Sequence, residues 1–152
     1  MENEMNAIEE LLARYPQLEV CAAEIAAAAD ALSDCFRGDG KVLVCGNGGS
    51  AADAEHIVGE LMKKFRKPRP VAEEIAAKLP PELAARLEGA LPAISLVSMS
   101  GLLTAFANDV AWEAAFAQQV LGLGGADDVL MALSTSGDSM NCMHAARVAR
   151  AK

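Results

Sequence analysis

Apolar residues fall along this chain in two rhythms. From Gln17 to Phe36, Leu18, Cys21, Ile25, Ala28, Leu32 and Cys35 recur at steps of three, four, three, four and three. That spacing predicts one long helix with a narrow apolar stripe. Its alanine-rich flanks permit close approach, so the stripe faces either the core of its own subunit or a symmetry mate. RGDG at 37–40 ends the helix with glycines. The rhythm then changes. KVLVCG (41–46), LPAISLVS (91–98) and DDVLMALSTSG (127–137) are short apolar runs bounded by turn residues, the pattern of strands buried on both faces. Helical patterns follow each strand: Ser50 to about Phe65, 101–124 with a break near Asn108–Asp109, and 139–152. Strands alternating with helices predict a parallel sheet with crossover connections. Between Arg66 and Leu91, two short amphipathic patterns flank Pro80–Pro81 and carry many charges, which predicts a helical surface excursion at about 71–90. Three strands are few for a doubly wound sheet, so the expectation is an unusually small domain or one that lacks its C-terminal strands.

Composition narrows the class. The 152 residues fit one domain, and 53% hydrophobic content is enough for a core that is aliphatic, since aromatics make up only 4%. A formal net charge of −8 excludes a general nucleic-acid binder. It leaves room for a small anion held by backbone amides. Cys21, Cys35, Cys45 and Cys142 form no C-x-x-C pair, which suits a reducing compartment and argues against a disulfide framework. The opening MENEMNAIEE is acidic and unlike a secretory leader, and no run approaches the ~18 apolar residues of a membrane span. The expectation is a cytoplasmic protein with no membrane partner.

The candidate chemistry sits where strands end. The first strand empties into GNGGSA and the third into STSGDS, and open α/β sheets bind ligands beyond the carboxyl ends of their strands. Glycines let a backbone approach a ligand, and a helix start presents free N–H groups to an anion. Ser134, Thr135, Ser136 and Ser139 add four hydroxyls. Such residues also serve simply as caps and turns, but two such loops at matching strand ends point to phosphate. No Gly-Lys-Ser/Thr follows, and the dinucleotide spacing is absent. His56 and Glu60, four residues apart on the next helix, share a face. They suit either two ligands of a divalent metal or a base with its hydrogen-bonding partner. His144 reads as an ordinary helix residue. Asn108–Asp109 is either a turn or cap, or a group for sugar hydroxyls. Arg69 reads as a solvated charge or a phosphate contact.

Taken in order, GNGGSAADAEH with Glu60, RP, LPAISL, TAFAND and DVLMALSTSGDS with Asn141 resemble the phosphoheptose isomerases of the sugar isomerase (SIS) domain superfamily, over roughly residues 30–150 apart from the excursion. The resemblance implies a flavodoxin-like three-layer α/β/α parallel sheet as one SIS domain, with N-terminal oligomerisation helices at about 1–37 and an α/β core at about 41–152. It implies a homotetramer with sites at subunit interfaces, and isomerisation of sedoheptulose 7-phosphate to D-glycero-D-manno-heptose 7-phosphate towards ADP-heptose and lipopolysaccharide core. By position, Asn47, Gly48, Gly49, Ser50, Arg69, Asn108 and Asp109 match substrate contacts, and Ser134, Thr135, Ser136 and Ser139 match a phosphate cradle. His56 and Glu60 match ligands of a Zn2+ ion, and Glu60 also matches a catalytic acid/base. The family's tail supplies a glutamine and a histidine that have no counterpart in these residues, so turnover is expected only where they are present. Asp138 stands where the family usually has asparagine, and the 71–90 insertion is long. A non-catalytic SIS scaffold, such as a relative that binds a replication initiator, or a phosphosugar sensor is the competing class.

Overall fold

The computed structural model describes residues 6–152. Helix α1 (Ala7–Arg14) opens with a capping box: the Asn6 side chain accepts the Ile8 and Glu9 N–H groups, and Glu9 accepts the Asn6 N–H. The expected single long helix differs at its start. Pro16 begins a 3-10 segment, Pro16–Cys21, and the α-helix proper, α2, covers Ala22–Arg37. Proline fixes its own φ and has no N–H, so it starts a turn here rather than extending α1. Of the predicted stripe only Cys35 is fully buried, and Leu32 packs beside it. The part of the expected oligomerisation helices on residues 1–5 lies outside the described residues.

Strands β1 (Val42–Gly46), β2 (Ala93–Ser95) and β3 (Val129–Leu133) form one parallel sheet in the order β2-β1-β3. Between them run α3 (Gly49–Met62), α6 (Ser100–Asp109) and α7 (Ala115–Leu123), and α8 (Met140–Ala151) follows β3. The predicted break near Asn108–Asp109 is real: α6 stops at Asp109, and a 3-10 turn at Trp112–Ala114 leads into α7. The excursion holds two single-turn helices, α4 (Glu73–Ala76) and α5 (Pro81–Ala84).

Alternation along β1 builds a core on each face of the sheet. Leu43 and Cys45 join Leu96, Leu103, Phe116, Val120, Cys142 and Ala145, from the side covered by α6, α7 and α8. Val42 and Val44 join Cys35, Ala54 and Ala93, from the side covered by α2 and α3. The result is the expected α/β/α sandwich. No described helix is long and apolar enough to cross a membrane.

At the amino ends of the strands an ion pair ties β1 to β3. The Asp128 carboxylate, 9% exposed, accepts from Lys41 Nζ at 2.6 Å, from the Lys41 backbone N–H at 2.8 Å and from the Gly125 N–H at 2.6 Å. Burial pushes this carboxyl up, but the three donors outweigh it and hold it below the ordinary aspartate value. A depressed carboxyl contributes stability above its unfolded pKa and loses it as pH falls through the folded value. Asp128→Ala is therefore expected to cost about 2–3 kcal/mol in urea unfolding at pH 7. The gap from the parent should narrow as pH drops below about 4. A gap that stays constant across that window would contradict this brace.

Candidate functional site

The strand order makes β1 and β3 neighbours, although the chain leaves β1 in one direction to reach β2 and returns to the other side for β3. Such a reversal opens a crevice at the carboxyl ends of the two strands. Both sequence-predicted loops border it. The first, residues 46–50, is dictated by glycine. A Cβ on Gly46 would lie 2.6 Å from the Ser50 carbonyl oxygen, so only glycine lets α3 start this close to the strand. Gly48 holds φ 57° and ψ −119°, a conformation that side-chain-bearing residues strongly resist. Asn47 O accepts the Ser50 N–H and Gly48 O accepts the Ala51 N–H, which turns the chain directly into α3. No side chain caps α3, and the Gly48 and Gly49 N–H groups have no hydrogen-bond partner among the described residues. They are available to an anion.

The second loop, 134–139, is built from hydroxyls. Ser134 Oγ donates to Ser139 Oγ at 3.1 Å, Ser136 Oγ accepts the Asp138 N–H at 3.2 Å, and Gly137, at φ 76°, closes onto Ser134 O. Two of the four hydroxyls thus pair with each other, and a third steadies its own turn. The Thr135, Ser136, Ser139 and Met140 N–H groups are unpartnered among the described residues, at the start of α8. Asp138 is exposed, and its carboxylate makes no ion pair there.

One connection was not foreseen. Asn141, in the first turn of α8 and 3% exposed, exchanges two side-chain hydrogen bonds with Asn47, both at 2.9 Å. The Asn47 amide is therefore committed to the opposite loop, and what Asn47 offers a ligand is chiefly its position. A sequence signal existed: an amide in the second position of the helix that follows the serine loop. Below the pair, burial pushes the Cys45 and Cys142 thiols up, so both stay protonated and unreactive near neutrality.

His56 and Glu60 do meet, with His56 Nε2 3.5 Å from Glu60 Oε1. Glu60 Oε1 also receives Lys63 Nζ at 2.8 Å, while Glu60 Oε2 is buried with no partner among the described residues. The His56 imidazole and the Glu60 carboxylate would supply two of the ligands of a tetrahedral zinc site. No cluster of three candidate metal ligands exists among the described residues, so a metal held here would need further ligands from outside this group. Glu55, one position earlier, accepts Ser98 Oγ at 2.9 Å and ties α3 to the turn after β2.

Arg69 is elsewhere engaged. Its guanidinium reaches the last carbonyls of α3, donating to Leu61 O at 2.6 Å and to Lys63 O, while Nε donates to Gly89 O at 2.9 Å. The Gly89 N–H returns a bond to Arg69 O at 2.7 Å. Arg69 clasps the base of the excursion and is neither a solvated charge nor aimed at the loops. A hollow of about 610 Å³ beside it, walled by Pro68, Val71, Ala84, Arg86 and Leu87, includes no loop residue. Asn108 and Asp109 bond to each other at 2.8 Å, exposed at the end of α6. His144, on α8, has its Nδ1 3.1 Å from Glu113 O.

The SIS domain sequence profile matches residues 5–152. The chain belongs to the SIS domain family. The chain is similar to phosphoheptose isomerases. That of Laribacter hongkongensis (strain HLHK9) is 39% identical over 142 residues, which cover 93% of this chain and 63% of the relative. That of Roseiflexus sp. (strain RS-1) is 40% identical over 133 residues, covering 88% and 58%. Phosphoheptose isomerase structures from Neisseria gonorrhoeae and Francisella tularensis, each 31% identical, superpose with TM-scores of 0.63 and 0.66. The alignments cover 95% and 97% of this chain, and 70% and 71% of those chains. The chain thus spans about three-fifths of the length of the curated relatives it matches.

The first SIS loop separates steric need from openness. Gly46→Ala is expected to lose several kcal/mol in urea unfolding, because its Cβ meets backbone. Gly49→Ala, whose Cβ would meet nothing within 4 Å, should unfold within about 0.5 kcal/mol of the parent. Equal losses would contradict the placement of this turn.

Proposed function

We propose that this chain carries the phosphosugar site of a phosphoheptose isomerase, which converts sedoheptulose 7-phosphate to D-glycero-D-manno-heptose 7-phosphate in the cytoplasm, towards ADP-heptose. The observation that carries the reading is the unpartnered, buried Glu60 oxygen on the helix that springs from an anion loop, in a chain whose relatives bear that name.

An aldose–ketose isomerisation moves a proton between C1 and C2 of the sugar, so it needs a base near those carbons and stabilisation of the charge that develops on oxygen. In this reading the amides and hydroxyls of 134–139 hold the phosphate and fix the other end of the sugar. The loop at Asn47, Gly48, Gly49 and Ser50 receives that end. Glu60, near the C-terminal end of α3, takes and returns the proton at a site completed by a neighbouring subunit. His56 steadies the carboxylate. A Zn2+ ion held by His56 and Glu60 with ligands from elsewhere would supply an electrophile for the sugar oxygen. Lys63, which donates to Glu60 Oε1 at 2.8 Å, would compete with such an ion for the carboxylate. Asn108 and Asp109, whose side chains bond to each other, serve sugar hydroxyls of their own or a neighbouring subunit. Arg69 acts through the excursion it clasps.

The assembly in this reading is a homotetramer joined through α1 and α2. Supporting it, α1 buries none of its residues and Val20 is 90% exposed.

In the native protein, Glu60→Gln is expected to lower kcat at least ~100-fold with little change in KM. His56→Ala should release zinc from the tetramer, read as intact mass under native conditions. Isomerisation that survives Glu60→Gln would sink the catalytic reading. A metal-free parent with full assembly would favour an SIS scaffold instead.

A further inference from the structure

The parallel ladder between β1 and β3 ends at the pair Gly46–Leu133. Beyond it the two chains diverge, one into α3 and the other into α8, and no ladder bond sets the gap between the loops. The Asn47–Asn141 pair stands at that point, joining residues 94 apart in sequence. Each amide donates once and accepts once, so the two bonds form a ring that resists both separation and shear. The Cys142 N–H donates to Asn141 Oδ1 at 3.0 Å, which fixes which way the Asn141 amide faces. Cys142 Sγ in turn lies 3.7 Å from Leu133 O, at the end of the strand. The loop after β1 is thereby laced to the start of α8 and to the end of β3. A buried amide with its hydrogen bonds met is rigid, and leaving one unmet is costly.

We infer that Asn141 is a positioning residue: through Asn47 it sets the distance between the glycine loop and the serine loop, so that one phosphosugar engages both. This rests on the phosphosugar reading above and goes beyond it, because Asn141 touches no substrate and acts only through the gap. The consequence is selective. An anion seated on the serine loop alone does not sense the gap, whereas a ligand that spans both loops does.

The experiment is titration calorimetry of the full chain with inorganic phosphate and with sedoheptulose 7-phosphate. The parent, Asn141→Ala and Asn141→Ser are compared, and folding is verified by thermal melts. The serine variant keeps a polar group in the first turn of α8 and guards against loss of fold. The expected result is a fall of about tenfold or more in affinity for sedoheptulose 7-phosphate in both variants. Affinity for inorganic phosphate should stay within about threefold of the parent. Parallel losses for both ligands would overturn the inference, because a general structural role predicts them. Unchanged affinity for the sugar phosphate would overturn it too, while leaving the phosphosugar reading intact. A parent that binds phosphate but not the sugar phosphate, or neither, would remove that reading and the positioning role with it.

Discussion

Strand β1 is the constraint on which this molecule depends. Its residues are buried on both faces, and hydrogen bonds run along both edges, to β2 and to β3. A strand in that position admits only apolar residues or glycine, and Val42, Leu43, Val44, Cys45 and Gly46 satisfy the condition without exception. Because its two neighbours are reached by crossovers in opposite directions, the crevice at the carboxyl end of β1 follows from topology alone. The loop that leaves the strand must then turn within two residues into α3. That demand explains both the absent side chain at Gly46 and the backbone of Gly48. Core, crevice and glycine loop share one cause.

The sequence shows this layer of organisation clearly, because burial on two faces leaves an unmistakable apolar run. It shows the strand ends, the helices after them and both loops to within a few residues. What it hides is the use made of polar side chains once they are folded. Arg69 reads as a solvated charge or a phosphate ligand because a guanidinium carries five donors and no sequence rule says where they go. In the fold they go to carbonyls at the end of α3 and across to Gly89, contacts 6 to 20 residues away in the chain. The Asn47–Asn141 pair is hidden for the same reason, its partners being 94 residues apart. The start of α2 is hidden more simply: the periodicity from Leu18 onward runs through a 3-10 segment that Pro16 initiates. At the candidate site, the His56–Glu60 contact is local and was legible, while the intrusion of Lys63 was not, although it too is only three residues from Glu60.

Charge use gives the site its character. The chain carries 13 basic residues against 21 acidic ones, and several of the cations are committed to structure away from the crevice. Lys63 pairs with Glu60, Lys64 with Glu88, and Arg66 with Glu10. Arg69 is bound to carbonyls, and Lys41 to Asp128 at the amino ends of the strands. A phosphate cradle here must rest on backbone N–H groups and hydroxyls. Such donors are fixed by the fold and are not stripped of their partners by salt as mobile lysines are.

That choice has a cost in geometry. A lysine on a flexible stem tolerates an ångström of misplacement, but an amide at the start of a helix does not move unless the helix moves. Two sets of rigid donors, one on α3 and one on α8, serve a single ligand only if the helices keep their spacing. The ladder that would enforce it stops at Gly46 and Leu133. Something rigid, neutral and short has to continue the register where the backbone no longer does. A carboxylate there would repel the anion, a hydroxyl pair would give only a single bond, and an apolar pair would resist separation but not sliding. Two facing amides meet all three requirements, and a buried Asn141 opposite Asn47 is what a site built from backbone donors demands.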